Sequence, residues 1–393
     1  MWEGYDDHGG SKPYLWIFFV LVLVVMSSIF FLKPSISSLP GTEAPGSKNV
    51  PLMSELIAPG IGDALYLQDG SPGFWSVSRE EDEFAVSYLD ADGITMWQHI
   101  ARWSDPIIRS QGPYLIMAEF AGSQVAVFLN NVGLVFEREV SGIIRDVSIA
   151  ETGEAIVALT RPLEDELTIR SYLVQFTSGG GDGWEVAVLG SEILRLEQAG
   201  DGSLIGVLAL HLEGGSARTT LSAYSRYGAR LFIKDFAKHP VDLAVRMDGG
   251  VIAIAVGKEI RGFDQQGQLI WTYEAGVDLK HLVYVGRSVN LVYAGQRKTL
   301  FTFGPQSIIG VLGEAGKLAW QYRTRDDIVT VTQSAMTTNV LICTDKRVHL
   351  YSHDGNVRWT MPHDWGAAAT VATTDGRNYI VHAGPTAFLL RSQ

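Results

Sequence analysis

The residue types that could perform chemistry are scattered along this chain of 393 residues. The run Asp90-Ala91-Asp92-Gly93 resembles the beginning of a calcium-binding loop, but such a loop also needs a Glu further along, and none lies at the required distance. Asp and Gly are also the residues of tight turns, so we interpret the run as a hairpin turn. Only His349 and His353 lie close together among nine histidines, and two ligands do not complete a zinc site. The sequence therefore predicts no metal-binding residue.

Motifs of covalent and phosphate chemistry are also missing from the sequence. There is no Gly-x-Ser-x-Gly elbow of a serine hydrolase, and the stretch Gly179 to Gly183 lacks the lysine and the following helix of a phosphate-binding loop. The single cysteine, Cys343, excludes an intrachain disulfide. Its apolar neighbours indicate a buried, inert thiol. We therefore predict no catalytic residue and no cofactor-binding residue.

The charge balance excludes one class of partner. The chain has 31 basic and 43 acidic side chains and a formal net charge of −12, which repels a phosphate backbone, and no stripe of Lys and Arg offsets this charge. We expect no nucleic-acid partner. The acidic clusters at residues 80–83 and 164–166 are predicted to be solvated loops, with binding of a cation or a basic partner as the alternative.

The N-terminal region predicts a membrane anchor. Residues 1–13 form a short polar tail, and residues 14–32 carry no charge and would span roughly 28 Å as a helix, close to the thickness of the hydrocarbon layer. No Ala-x-Ala-like cleavage site follows, which favours an uncleaved transmembrane helix over a signal peptide. Residues 33–49 are rich in Pro, Ser and Gly and are predicted to be a flexible tether. A short tail before a large domain favours a single-pass protein of the inner or cytoplasmic membrane, with that domain, residues 50–393, on the extracytoplasmic side.

A repeated hairpin organises the remainder of the chain. Its clearest copy, Ile260 to Tyr273, reads as a strand, a turn at Asp264 to Gly267, and a second strand with Trp271 four places after the glycine. Similar hairpins lie at Tyr88–Trp97, Phe128–Phe136, Tyr224–Phe232, Leu312–Trp320 and Tyr351–Trp359, with a degenerate copy at Phe176–Trp184. The turn glycines are predicted to be Gly93, Gly133, Gly183, Gly228, Gly267, Gly316 and Gly355. A spacing of about 40 to 50 residues is typical of β-propeller blades with four strands each.

The strand pattern also predicts how the propeller closes. For the fifth blade we predict strands at Val241–Arg246, Val251–Ala255, Glu259–Phe263 and Gln268–Tyr273. After Gly355 only three strand-like runs remain, and residues 50–57 can supply the missing outer strand. The predicted fold is therefore an all-β, eight-bladed β-propeller preceded by one transmembrane α-helix, with a seven-bladed count as the alternative.

The repeat resembles that of PQQ-like, or quinoprotein alcohol-dehydrogenase-like, β-propellers, and the resemblance covers nearly everything after residue 60. Gly262 to Trp271 is the nearest match to the pattern. The resemblance implies that the repeated Trp packs between neighbouring blades. The equivalent residues here are Trp97, Trp271, Trp320 and Trp359, with Phe136 and Phe232 as substitutes. The dehydrogenases of this group need a vicinal cysteine pair and a calcium-binding Glu/Asn/Asp set, whereas another member is a lipoprotein scaffold for outer-membrane β-barrel assembly.

One cysteine rules out the pair, so the resemblance implies the non-enzymatic branch. Our first hypothesis is a membrane-anchored propeller without enzymatic activity, acting as a protein-binding scaffold or assembly factor in a bacterial-type cell envelope. Its partners would be other envelope or membrane proteins, and the lipid bilayer through residues 14–32. The alternative is an enzyme or small-ligand sensor with a site at the propeller channel, such as a quinoprotein or an arylsulfotransferase-like protein with a catalytic His. Convergence of His, Arg, Asp and Glu at the channel mouth would favour this alternative.

Overall fold

The structure is a computed structural model, and it describes the strands of the repeat region and most of the turns between them. The described residues are 52–56, 64–69, 72–80, 83–162, 169–188, 192–213, 216–246, 248–284, 290–297, 306–333, 339–363, 368–372, 378–383 and 386–391. These residues form eight antiparallel sheets of four strands each. Seven sheets are built from four consecutive strands, and the eighth is a composite of strands from both ends of the repeat region.

The first four blades run from β2 to β17. Blade 1 contains β2 (Ala64–Asp69), β3 (Phe74–Glu80), β4 (Glu83–Leu89) and β5 (Thr95–Ala101). Blade 2 contains β6 (Pro106–Gln111), β7 (Tyr114–Glu119), β8 (Gln124–Leu129) and β9 (Gly133–Glu139). Blade 3 contains β10 (Ile143–Ile149), β11 (Ala155–Pro162), β12 (Ile169–Phe176) and β13 (Asp182–Val188). Blade 4 contains β14 (Glu192–Gln198), β15 (Leu204–Glu213), β16 (Ser216–Ser225) and β17 (Arg230–Phe236).

The remaining blades follow the same order. Blade 5 contains β18 (Pro240–Val245), β19 (Ile252–Val256), β20 (Glu259–Phe263) and β21 (Leu269–Glu274). Blade 6 contains β22 (Asp278–Tyr284), β23 (Leu291–Arg297), β24 (Gln306–Leu312) and β25 (Leu318–Thr324). Blade 7 contains β26 (Ile328–Gln333), β27 (Val340–Thr344), β28 (Arg347–Tyr351) and β29 (Val357–Pro362). Blade 8 contains β30 (Ala368–Ala372), β31 (Asn378–Ala383), β32 (Thr386–Arg391) and β1 (Leu52–Leu56).

The first strands of the blades surround a common axis. β6 packs against β10, β10 against β14, β14 against β18 and β18 against β22, while β30 packs against both β26 and β2. Blades 6 and 7 share an apolar cluster that includes Val311 and Ile342. The first strand of each blade is therefore innermost, and the fourth strand lies at the outer edge, as in a β-propeller.

The ring is closed by the leading strand. β1 pairs with β32 in antiparallel register, with Leu52 opposite Arg391 and Leu56 opposite Ala387. This pairing confirms the prediction that residues 50–57 supply the outer strand of the last blade. Closure in this way pairs a sheet edge that would otherwise stay open.

The predicted fold class needs a correction in its helical part. Among the residues that the structure describes, no helix is long and apolar enough to cross a membrane. The only helical element there is a 3₁₀ turn, Glu314–Gly316, because the described sequence alternates apolar runs of strand length with turns throughout. The predicted transmembrane helix at residues 14–32, the tail at 1–13 and the tether at 33–49 lie outside the described residues. The architecture established for the described residues is an all-β propeller.

The turn between the third and fourth strands has the predicted form in blade 5. Gly267 has φ +75° and its N–H donates to the carbonyl of Asp264 at 3.0 Å. The Asp264 carboxylate accepts from the N–H groups of Gln266 and Gln268. In blade 3 the prediction was wrong by three residues, because Gly180, with φ +79°, occupies the turn position that we assigned to Gly183. Because that turn contains several adjacent glycines, the sequence does not indicate which of them adopts the left-handed conformation.

Six aromatic side chains of the outer strands each pack on the turn glycine of the next blade. The pairs are Trp97 with Gly133, Phe136 with Gly180, Trp184 with Gly228, Phe232 with Gly267, Trp271 with Gly316 and Trp320 with Gly355. In all of them except the first, a Cβ on the glycine would lie 2.5–2.7 Å from a ring atom. The indole N–H of Trp97, Trp184 and Trp320 also donates to a carbonyl in the turn of the next blade. This confirms the predicted packing between blades for Trp97, Phe136, Phe232, Trp271 and Trp320 and adds Trp184 to the set. Trp359 instead contacts the ring of Tyr379 in blade 8.

Candidate functional site

Six of the eight first strands have a local distortion near their beginning, at the end of the channel that we call the channel mouth. The pairing register shifts by one residue before Asp146 in β10, before Arg195 in β14 and before Asp242 in β18. The same shift precedes His281 in β22. A β-bulge of this kind changes the direction of the side chain that follows it, and bulges are common next to functional sites.

Charges of alternating sign follow one another around the channel mouth on blades 2 to 5. We call Arg109, Asp146, Arg195 and Asp242 the charged arc. Arg109 Nη2 lies 3.1 Å from Asp146 Oδ1, and Arg195 Nε lies 3.7 Å from Asp242 Oδ1. The four charges therefore neutralise one another within the protein.

Both aspartates of the charged arc also bind the backbone of the next blade. Asp146 Oδ2 accepts from the N–H of Leu196 in β14 at 2.9 Å, and Asp242 Oδ2 accepts from the N–H of Leu282 in β22 at 2.7 Å. In each case Oδ1 accepts from the N–H of the following residue at 2.9 Å. Because these oxygens are committed to structural hydrogen bonds, neither carboxylate is placed as a free general base.

Glu197 is a further carboxylate of the channel, two residues after Arg195 on β14. Its Oε2 lies 3.4 Å from Arg195 Nη2, and one third of its side chain is exposed. Burial raises the pKa of Glu197, and the positive charges of Arg195 and Arg109 oppose that rise. The arrangement holds a carboxyl group beside the guanidinium group of Arg195, without a hydroxyl or thiol nucleophile among its described partners.

Large aliphatic side chains are exposed beside the charged arc. Ile143, Leu194 and Val241, on the first strands of blades 3, 4 and 5, are 42%, 46% and 53% exposed. Leu194 and Val241 are the extra residues of their bulges. Three neighbouring blades therefore present apolar side chains at the channel mouth, next to charges that are already paired. Such a surface can bury against another protein without leaving an ionic group unpaired.

The residues considered from the sequence have structural roles. Asp90 Oδ1 accepts from the N–H groups of Asp92 and Ile94 at 2.9 Å, which confirms the hairpin turn. Cys343 is buried, which confirms the predicted burial of the thiol, and this burial raises its pKa to about 12. Glu83 of the first acidic cluster pairs with Arg102 at 2.6 Å in an exposed position, and residues 164–166 lie outside the described residues.

The two neighbouring histidines do not form a site together. His349 is buried, with Nδ1 at 2.9 Å from Thr360 Oγ1 and Nε2 at 3.2 Å from the hydroxyl of Tyr322. His353 lies in the following turn, where its carbonyl accepts from the indole N–H of Trp320. Within the described ranges, no group of three His, Cys, Asp or Glu side chains is arranged to hold a metal ion.

Sequence reasoning missed the charged arc, although a signal was present. Each of its residues from blades 3 to 5 stands directly before an aliphatic residue of an otherwise apolar first strand, as in Asp146-Val147, Arg195-Leu196 and Asp242-Leu243. An alignment of the first strands of successive blades would have placed these charges at one position. The hairpin motif drew attention to the opposite edge of each blade.

Comparison with known proteins supports the fold. A family model of unknown function, DUF5711, matches residues 80–173. No curated protein matches the sequence. Among solved structures, BamB from Moraxella catarrhalis is similar, with 14% identity over 87% of this chain and 98% of BamB and a TM-score of 0.51.

Two further structures are similar. The WD40 domain of SCAP from fission yeast is 10% identical over 87% of this chain and 94% of that domain, with a TM-score of 0.55. The dihydro-heme d1 dehydrogenase NirN is 12% identical over 84% of this chain and 72% of NirN, with a TM-score of 0.54. At such identities the likeness concerns the β-propeller fold alone. Because one of these propellers is a dehydrogenase, the fold does not decide between binding and catalysis.

Proposed function

We propose that this protein is a non-enzymatic scaffold of a bacterial-type cell envelope, anchored to the cytoplasmic membrane, that binds another envelope or membrane protein at its channel mouth. The observation that carries the proposal is the exposure of Ile143, Leu194 and Val241 beside the charged arc. Large apolar side chains exposed together on neighbouring elements mark interaction sites.

The chemistry of this surface suits a protein partner. Protein interfaces combine an apolar centre with a polar rim, and arginine is enriched in them. The bulge residues Leu194 and Val241 supply the apolar centre, and Arg145, which lies 3.5 Å from Glu192, adds a paired charge close by. Because the ionic groups already have partners, burial of the surface costs less than burial of lone charges.

Crosslinking from the channel mouth tests this function. A photo-crosslinking amino acid is placed at Leu194 or Val241 of the full chain in cells, and the products are identified by mass spectrometry. Lys234 on the outer strand β17, which is also exposed, is the matched control position. We expect the same protein to be crosslinked from both mouth positions and not from the control. The variant Leu194→Asp should reduce copurification of that protein at least tenfold, a loss of about 1.4 kcal/mol in binding free energy. Absence of any protein product from both mouth positions contradicts the proposal.

The proposed anchor and orientation have a separate test. Ser11→Cys and Ser47→Cys place a thiol on each side of residues 14–32, and the native Cys343 is buried. With intact cells, a membrane-impermeant maleimide should label the Cys at position 47 and leave the Cys at position 11 unlabelled until the cells are lysed. The reverse pattern contradicts the orientation, and recovery of the chain without membranes contradicts the anchor.

A small-ligand sensor is the second candidate, and one observation favours it. The Nε atoms of Arg109 and Arg195 are buried and make no hydrogen bond within the described residues. A guanidinium N–H group without an acceptor suits a carboxylate or another small anion. A shift of the melting temperature by a small carboxylate, lost in Arg195→Gln, would favour this function over the scaffold.

A further inference from the structure

The outer strand of blade 1 differs in charge from every other outer strand. β5 has the sequence TMWQHIA, without a charged residue or proline. The other outer strands each carry at least one charged residue: GLVFERE, DGWEVAV, RLFIKDF, LIWTYE, LAWQYRT, VRWTMP and LMSEL. Charged residues and prolines on edge strands keep sheets from pairing with one another. Blade 1 lacks this protection.

The free edge of β5 also presents apolar side chains. Among the strands that the structure describes, β5 pairs only with β4, so one side of its backbone has no described strand partner. Met96 is 60% exposed and Ile100 is 41% exposed, with the exposed Gln98 between them. Trp97 points to the other side, where it packs towards blade 2. A strand with a free edge and an apolar exposed face is a template for strand addition.

The exposed residues of β5 are symmetric about Gln98. If two copies of β5 pair in antiparallel orientation about this residue, Met96 lies opposite Ile100 of the second copy, and Gln98 lies opposite Gln98 of the second copy. Apolar residues then meet apolar residues, and an amide meets an amide. The pairing register with β4 shifts between Thr95 and Trp97, so Met96 has no partner residue in β4. This irregularity lies near the beginning of β5. Gln98 lies in the part of β5 that pairs regularly with β4.

We propose that two copies of this protein associate through their β5 strands, which pair in antiparallel orientation about Gln98 and join blade 1 of each copy into one continuous sheet. The contact is isologous, the commonest form of symmetric association. The symmetry of the sequence about Gln98 favours a second copy as the occupant, because β5 then meets its own sequence with apolar residues opposite each other and without like charges opposite each other. The surface is on the outer edge of blade 1, apart from the channel mouth, so the two proposals are independent.

The expected dimer is weak. One pair of seven-residue strands falls near or below the lower bound of about 1,200 Å² for standard interfaces, which is the range of transient association. We therefore expect dimers of the full chain in mild detergent at roughly 10 to 200 µM, and monomers near 1 µM, by sedimentation velocity.

Disulfide trapping tests the register. Gln98→Cys places two thiols opposite each other, at about 4.5–5.5 Å between Cβ atoms, which a disulfide can bridge. Ile100→Cys is the control on the same strand, since its two copies would be about 14 Å apart along the strands. Thr272→Cys on β21 is the control on another outer strand. With a mild oxidant, we expect covalent dimers of the full chain from Gln98→Cys at a yield at least tenfold above either control.

A charge at the symmetry axis should abolish the contact. Gln98→Lys keeps an exposed position polar and puts two ammonium groups opposite each other. We expect this variant to keep its melting temperature and to remain monomeric at 200 µM, whereas Thr272→Lys should dimerise like the unchanged chain. The proposal is overturned if the unchanged chain stays monomeric and Gln98→Cys does not crosslink above the controls. The proposal is also overturned if the Gln98→Lys variant still dimerises. It is overturned as well if Gln98→Cys forms a disulfide only with a different protein.

Discussion

At the scale of single residues, two aspartates connect the inner strands of successive blades. Asp146 and Asp242 each bind the backbone N–H of an inner strand in the next blade while an arginine lies beside their other oxygen. A carboxylate in this position satisfies a buried donor that no strand partner can reach. The charged arc therefore has a structural role whether or not a partner binds at the channel mouth.

Removal of one of these carboxylates should destabilise the propeller. In Asp146→Ala the N–H of Leu196 loses its acceptor and the guanidinium of Arg109 loses its ionic partner, and we expect the free energy of unfolding to fall by about 2–3 kcal/mol. Asp235→Ala is the control, because its ion pair with Arg218 is half exposed on both sides and should contribute at most about 1 kcal/mol. Urea unfolding of the full chain compares the two. Equal effects of both substitutions would show that the bond to Leu196 adds nothing.

A buried histidine should make stability depend on pH. Burial, helped by the charge of Arg347, lowers the pKa of His349 to about 4. The unfolded chain binds a proton near pH 6.5, whereas the folded chain does not until about pH 4, so stability is lost as the pH falls through this range. We expect a smaller loss of unfolding free energy between pH 7 and pH 4.5 in His349→Gln than in the unchanged chain. His353→Gln, in the turn, is the control, and an unaltered pH slope in His349→Gln would contradict the prediction.

At the scale of elements, the aromatic ring and the glycine of the next turn form the contact that repeats around the propeller. Gly316 has φ +69°, and a Cβ there would lie 2.5 Å from the ring of Trp271. Gly257 has nearly the same backbone conformation, φ +65°, with no atom within 4 Å of its Cβ position. Alanine substitutions at these two glycines therefore separate the energetic cost of the left-handed backbone conformation from the cost of the contact with Trp271.

Gly316→Ala should therefore be more harmful than Gly257→Ala. The second substitution carries only the cost of a left-handed alanine, about 1 kcal/mol, and the first adds about 1–3 kcal/mol from displacement of the indole. The free energies of unfolding should differ accordingly. In the background of Trp271→Ala, Gly316→Ala should cost no more than Gly257→Ala does. A difference that persists without the indole would assign the effect to the turn itself.

The strands and turns of the blades are the features that the sequence predicts best. The strands predicted for blade 5 agree with β18 to β21 within one residue at each end, because turn glycines and large aromatics bound every repeat. The charged arc was not predicted, since its signal appears only when the first strands of successive blades are aligned, and since it depends on contacts between residues about 40 to 50 positions apart, such as Asp146 and Leu196. The turn in blade 3 was misplaced because several adjacent glycines could each adopt a positive φ.

At the scale of the whole molecule, the ring depends on one short strand from the beginning of the repeat region. β1 is the only strand of blade 8 that does not come from the C-terminal part, and it covers the edge of β32. Without that pairing, blade 8 would keep three strands and an open edge on β32. An open edge favours association with other chains.

Proline substitutions in β1 should therefore open the ring. In an antiparallel pair only every second residue donates its N–H to the partner strand, so one of Ser54→Pro and Glu55→Pro removes a ladder hydrogen bond and the other does not. We expect one of the two variants to unfold at a temperature lower by about 4–8 °C and to aggregate on heating, while the other stays close to the unchanged chain. Ser47→Pro, in the predicted tether, is the control for proline itself. Equal melting temperatures in all three variants would contradict this prediction. They would mean that the pairing of Leu52–Leu56 with Thr386–Arg391 adds little to the stability of the closed propeller.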